Sequence, residues 1–111
     1  MTDKELLELA AKAAGFELLN WTVMFDGQEA AFVFNDGCAE TWNPLNDDGD
    51  ALRLIVKLKL CIDRDFDRID VYDNKGINET EYLYELPTPT DPYAATRRAI
   101  VRAAAEIGKS L

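Results

Sequence analysis

Histidine is absent from this chain, cysteine occurs only twice, and none of the six glycines falls in a phosphate-binding pattern. Without an imidazole the commonest general base and a common metal ligand are missing together, which excludes most hydrolase triads. Cys38 and Cys61 lie far apart and form no CxxC pair, so neither a disulfide framework nor a zinc site has support, and both read as reduced thiols. G-x-S-x-G, the P-loop and G-x-G-x-x-G are all missing. A non-enzymatic protein without metal or cofactor is the expectation. The most apolar run, Leu52 to Leu60, is broken by Arg53, Lys57 and Lys59 and falls short of the roughly 20 residues that a membrane span needs. The opening Met1-Thr2-Asp3-Lys4-Glu5 has no basic region feeding an apolar one, so a cytoplasmic location is expected.

Positive charge is also scarce. Twelve Lys and Arg stand against 21 Asp and Glu, a net charge of −9, which disfavours nucleic acid because phosphate neutralisation needs clustered bases. The imbalance is uneven, −12 over residues 1–91 and +3 over residues 92–111, so the last segment offers a basic face on an acidic body. With 111 residues, 48% hydrophobic and 30% charged, the composition is that of one globular domain spanning 1–111.

Thr2-Asp3-Lys4-Glu5 reads as a capping box opening a helix over 3–14, with Leu6, Leu9, Ala10 and Ala13 at helical spacing and Gly15 as its stop. From Phe16 the period changes to two. Leu19, Trp21, Val23 and Phe25 alternate with Leu18, Asn20, Thr22 and Met24, and Asp26-Gly27 turns the chain into a second arm, Glu29 to Phe34. A short segment through Trp42 has room for a further strand. Residues 51–58 are apolar around more than half of a helical circumference, which predicts the most buried element of the fold. Residues 62–72 and 77–86 read as a second hairpin, Pro87-Thr88-Pro89-Thr90 as a rigid connector, and Asp91-Pro92 as the start of a last helix with Tyr93, Thr96, Ile100, Ala103 and Ile107 inward. The order α-β-β-α-β-β-α predicts an α+β domain, an antiparallel sheet layered with helices in an ABA-type sandwich.

Four clusters are candidates for function. Glu79, Glu81 and Glu85 share one side of a strand and point outward if Tyr82 and Tyr84 point inward. Asp63, Asp65 and Asp67 share one side of the preceding extended segment, and with the glutamates they form an acidic face for a basic partner. Asp47-Asp48-Gly49-Asp50 could hold a divalent cation, but an EF-hand register would place Pro44 first and Ile55 last, so Asp47 reads as a helix cap answered by Asp50. Trp42, Asp47, Asp48 and the arginines of the last helix, Arg98 in particular, form the alternative, a small-molecule pocket, although Trp42 reads first as a core anchor. Arg97, Arg98 and Arg102 otherwise read as solvated.

The stretches Trp42-Asn43-Pro44-Leu45, Asp47-Asp48-Gly49-Asp50-Ala51-Leu52-Arg53-Leu54, Leu6 to Gly15 and Asp91 to Ile100 together resemble the phage ABA-sandwich domain family. That resemblance implies a sheet between helical layers and a small phage or prophage accessory protein in the cytoplasm of a bacterial host, with no catalytic residues to carry over. The expected activity is binding of a host or phage protein that has a basic surface, as an inhibitor of a defence system; a small-molecule sponge is the alternative. Because the aspartate turn reads as a cap, millimolar calcium or magnesium is expected to leave thermal unfolding unchanged. A saturable rise in melting temperature, lost in Asp48→Ala, would refute this.

Overall fold

The computed structural model describes residues 1–25, 27–35, 37–82 and 91–111. Nine elements follow one another: α1 (Asp3–Ala14), β1 (Glu17–Val23), β2 (Glu29–Asn35), β3 (Cys38–Trp42), α2 (Asp48–Leu58), β4 (Cys61–Arg64), β5 (Arg68–Tyr72), β6 (Asn78–Tyr82) and α3 (Pro92–Lys109). The class is α+β, with antiparallel strands layered with helices. Each expected hairpin gains a third strand, and the strands form two sheets, β1-β2-β3 and β4-β5-β6. The connector Pro87 to Thr90 and the expected strand end at Leu83 to Leu86 lie outside the described residues.

Local chemistry explains the helix boundaries. The Thr2 hydroxyl accepts the Glu5 N–H at 3.2 Å, and α1 stops at Gly15, whose φ of 79° is left-handed while its N–H returns to Ala11 and Lys12. Asp47 caps α2 by accepting the Asp50 N–H at 2.8 Å, and Asp91 caps α3 by accepting the Tyr93 N–H at 3.0 Å.

The strands depart from simple alternation in two places. A bulge between Leu18 and Asn20 puts Leu18 and Trp21 opposite Val33 and Ala31, so Leu19 leaves the row that the period of two assigned to it and stands exposed. The extended segment expected over 62–72 breaks into β4 and β5, because the Asp65 side chain accepts the Phe66 N–H at 2.8 Å and the Asp65 N–H donates to the Arg68 carbonyl at 2.9 Å, closing a turn.

The core is seated on α1 and α3. Leu6, Leu7, Ala10, Ala11 and Ala14 of α1 share one core with Ala95, Ala99, Ile100, Val101, Ala103, Ala104, Ala105 and Gly108, which are buried around most of α3 because α1, α2, β5 and β6 all border it. Of the residues expected inward, Ile100 and Ala103 are buried and Ile107 packs against the core, whereas Tyr93 at the start of the helix is exposed; burial extends beyond the expected face. The helices run in the same direction: Asp3 pairs with Arg98, Leu9 lies against Gly108, and Lys12 reaches the Leu111 carbonyl. The second sheet packs on α3 through β5 and β6, the first borders α1 through β1, and α2 rests on α3 and α1.

Contrary to the expectation for residues 51–58, α2 is not the most buried element. Only Ala51 and Leu54 are buried, while Leu52 is 59% and Val56 71% exposed. The apolar circumference is wider than the surface α3 and α1 offer to it, so part of it remains outside.

A Cβ at Gly108 would collide with the Leu9 carbonyl oxygen and stand 2.8 Å from its carbon, both backbone atoms that cannot swing aside. Gly108→Ala, which in an exposed helix would gain about 1 kcal/mol, is therefore expected to cost about 3 kcal/mol by overpacking. Chemical denaturation of the two proteins checks the sign.

Candidate functional surfaces

The acidic face drawn from Glu79, Glu81 and Glu85 is overturned where it can be tested. In the β5–β6 register Ile69 pairs with Glu81 and Val71 with Glu79, and directly paired residues share a face of a sheet. Ile69 and Val71 are fully buried towards α3, so both glutamates point inward and Tyr82 points outward. Arg102 of α3 meets them there, with Nη2 3.0 Å from Glu79 Oε2 and Nη1 donating to Glu81 Oε1, and the glutamate side chains are only 17% and 20% exposed. The hydrogen bond to Glu81 raises the Arg102 pKa further above its ordinary value, with the two carboxylate charges adding to it. Glu85 lies outside the described residues.

The aspartates do not share one face either. β4 ends at Arg64, and Asp65 and Asp67 belong to the turn, where Arg68 reaches Asp65 at 3.6 Å, Asp67 at 4.0 Å and Asp70 at 3.4 Å. Asp63 pairs across the strands with Asp70. Among the described residues no three side chains converge to hold a metal ion.

The corner around Trp42 is the more closely built site. Trp42 is buried and meets Phe16 edge to face at 5.6 Å. Asn43 then links three elements: its Nδ2 donates to the Glu29 carbonyl at 2.7 Å, its Oδ1 accepts the Leu45 N–H at 3.0 Å, and its own N–H donates to Asp50 Oδ2 at 3.0 Å. Asp50 thus turns towards β3, with its other oxygen 3.0 Å from Arg53. Burial, helped by the charges of Asp47 and Glu40, raises the Asp50 pKa above the ordinary carboxylate value against the lowering by the Asn43 N–H and Arg53. A cleft of about 340 Å³ opens here, lined by Gln28, Glu29, Trp42, Asn43, Asp47 and Asp50, polar enough for a hydrogen-bonding ligand.

Of the residues expected to share a pocket, the fold brings Trp42 and Asp47 together and separates the others. Asp48 faces α3, where Arg97 holds it at 2.7 Å and donates from Nε to the Leu45 carbonyl at 2.8 Å. Arg98 is at the start of α1, 3.2 Å from Asp3. The three arginines read as solvated are all ion-paired, which neutralises the basic face expected of the last segment. Asn43 is not singled out in the sequence, although the Asn-Pro that follows Trp42 is a signal of a turn that needs a side-chain acceptor, and Arg97, expected at the pocket or in solvent, is held by Asp48.

A second surface lies on the outward side of α2. Leu52, Ile55 and Val56 form a stripe at i, i+3 and i+4, and Leu52 and Ile55 with Ile62 and Tyr93 border an apolar groove of about 340 Å³ edged by Asp48, Thr96 and Arg97. No family model, curated protein or solved structure matches the chain.

The Asp50 environment implies a pH dependence. A carboxyl whose folded pKa is raised binds more protons in the native than in the unfolded state, so its contribution weakens as pH rises from its ordinary value of 3.8 through the raised one. Asp50→Asn keeps an acceptor for the Asn43 N–H and removes the charge. It is expected to be more favourable relative to wild type at pH 7 than at pH 3; the opposite trend in paired denaturation curves would show that Arg53 and Asn43 outweigh burial.

Proposed function

We propose that this chain is a non-enzymatic protein-binding module that engages a partner through the outward side of α2. The observation that carries the reading is that Leu52 and Val56 stand exposed on a helix whose other side is anchored, next to the groove of Ile55, Ile62 and Tyr93. Contiguous apolar surface of this kind is characteristic of interaction sites. The partner is a protein with an apolar ridge to fill the groove and basic residues around it, since a body of net charge −9 steers such a surface by long-range attraction. The role of a phage accessory protein acting on a host or phage protein is compatible with this surface, with the docking shifted from the glutamates of β6 to α2. The polar cleft beside Trp42 and Asp50 supports the second reading, a small hydrogen-bonding ligand.

Two glutamines at Leu52 and Val56 test the proposal, because they keep helix propensity and charge and remove only the apolar stripe. A photo-crosslinking residue at Leu52 identifies the partner, and affinity for that purified partner is then measured for wild type and for Leu52→Gln/Val56→Gln. The expected result is a loss of at least about tenfold, roughly 1.4 kcal/mol, with an unchanged far-UV spectrum and weaker binding at high salt. Equal affinity of the two proteins, or a crosslink solely to a second copy of the chain, would overturn the reading.

A further inference from the structure

Nine of the twelve basic side chains meet a carboxylate or a carbonyl oxygen. Among the described residues the remaining three, Lys57, Lys59 and Lys75, enter no ion pair within 4.0 Å, and all three line one cleft. Lys57 and Lys59 are neighbours in the chain, and Lys75 joins them through the fold. The cleft, about 650 Å³, is larger than those beside Trp42 and α2, and its apolar wall is made by Leu58, Ile77 and Ile107. Its size falls within the range of small-molecule sites.

Two details go beyond chance gathering. Lys59 ends α2 with a φ of 57°, and it is the described non-glycine residue with a left-handed backbone, a conformation in which glycine would carry less strain. Lys57 is held over the Phe16 ring at 5.0 Å, which fixes its position without neutralising it. Lysines near the last turn of a helix also answer its dipole, and both α2 and α3 end at this cleft, whereas Lys75 itself comes from the turn between β5 and β6. The one acidic side chain in the lining, Asp73, accepts the N–H groups of Lys75 at 2.8 Å and Ile77 at 2.9 Å, and the Lys75 charge acts on it as well. Its carboxylate shapes the turn that presents Lys75.

We propose that this cleft binds a small amphipathic anion, its carboxylate or phosphate head between the three lysines and its apolar body against Leu58, Ile77 and Ile107. The site is separate from the outward stripe of α2 and shares with the Trp42 corner only Lys57, whose ammonium lies over Phe16, so its test does not depend on the function proposed above.

Calorimetric titration with decanoate and with decyl phosphate, below micelle-forming concentrations, supplies the ligand chemistry, with decanol and inorganic phosphate as the two half-ligands. Saturable one-to-one binding at least about tenfold tighter than either half-ligand is expected, with NMR shifts concentrated at Ile77 and Ile107, and the tighter of the two amphiphiles identifies the head group. Lys59→Gly relieves the left-handed backbone while removing one cation, so it is expected to be at least as stable as wild type and to bind more weakly, as is Lys75→Gln. Binding of decanol as tightly as decanoate, binding of free phosphate as tightly as decyl phosphate, no binding of either amphiphile, or unchanged affinity in both lysine variants would each overturn the proposal.

Discussion

The close approach of α1 and α3 is the constraint on which the rest of the structure depends. It is made possible by side chains that hardly exist: Ala10, Ala11 and Ala14 are buried on one helix, and the backbone of Leu9 lies against Gly108 of the other. Dispersion contacts between backbones brought this near replace the side-chain burial that a small core cannot otherwise supply. Because α3 also carries β5 and β6 on its flank and supports α2, displacing it would disturb α1, α2 and the second sheet at once. The ion pair of Asp3 with Arg98 and the reach of Lys12 to the Leu111 carbonyl register the two helices along their length.

The same economy governs charge. An acidic chain has few cations to distribute, and here they are set between elements: Arg97 between α3 and α2, Arg98 between α3 and α1, Arg102 between α3 and β6. Half-buried carboxylates such as Glu79 and Glu81 are tolerable only because a guanidinium with two prongs faces them. What distinguishes Lys57, Lys59 and Lys75 is that they are left out of this arrangement.

Much of the fold is legible in the sequence, and for local reasons. The α1 boundaries follow from Thr2 and Gly15, the start of α2 from Asp47 and that of α3 from Asp91-Pro92, each a choice made by neighbours within a few residues. The burial of Trp42 follows from its size. The candidate sites were far less legible. Glu79 and Glu81 alternate as an exposed row would, and nothing near them in sequence reveals that Ile69 and Val71 pair with them or that Arg102, some twenty residues away, waits on the other side. Likewise Asp65 looks like one more strand residue until its side chain closes a turn on Phe66.

Taken by itself, the sequence determined the class of the domain, the caps of its helices, its acidic character and the lack of an imidazole on which histidine-dependent catalysis could be built. These properties reside in composition or in contacts a few residues long, where side-chain chemistry acts directly on the adjoining backbone. The tertiary structure alone decided which side of β6 faces the core, which apolar residues of α2 remain outside, and which lysines share a cleft. Those outcomes depend on strand register and helix crossing, which are selected by the packing of the whole chain, so residues far apart in sequence acquire a common surface only once α3 is seated on α1.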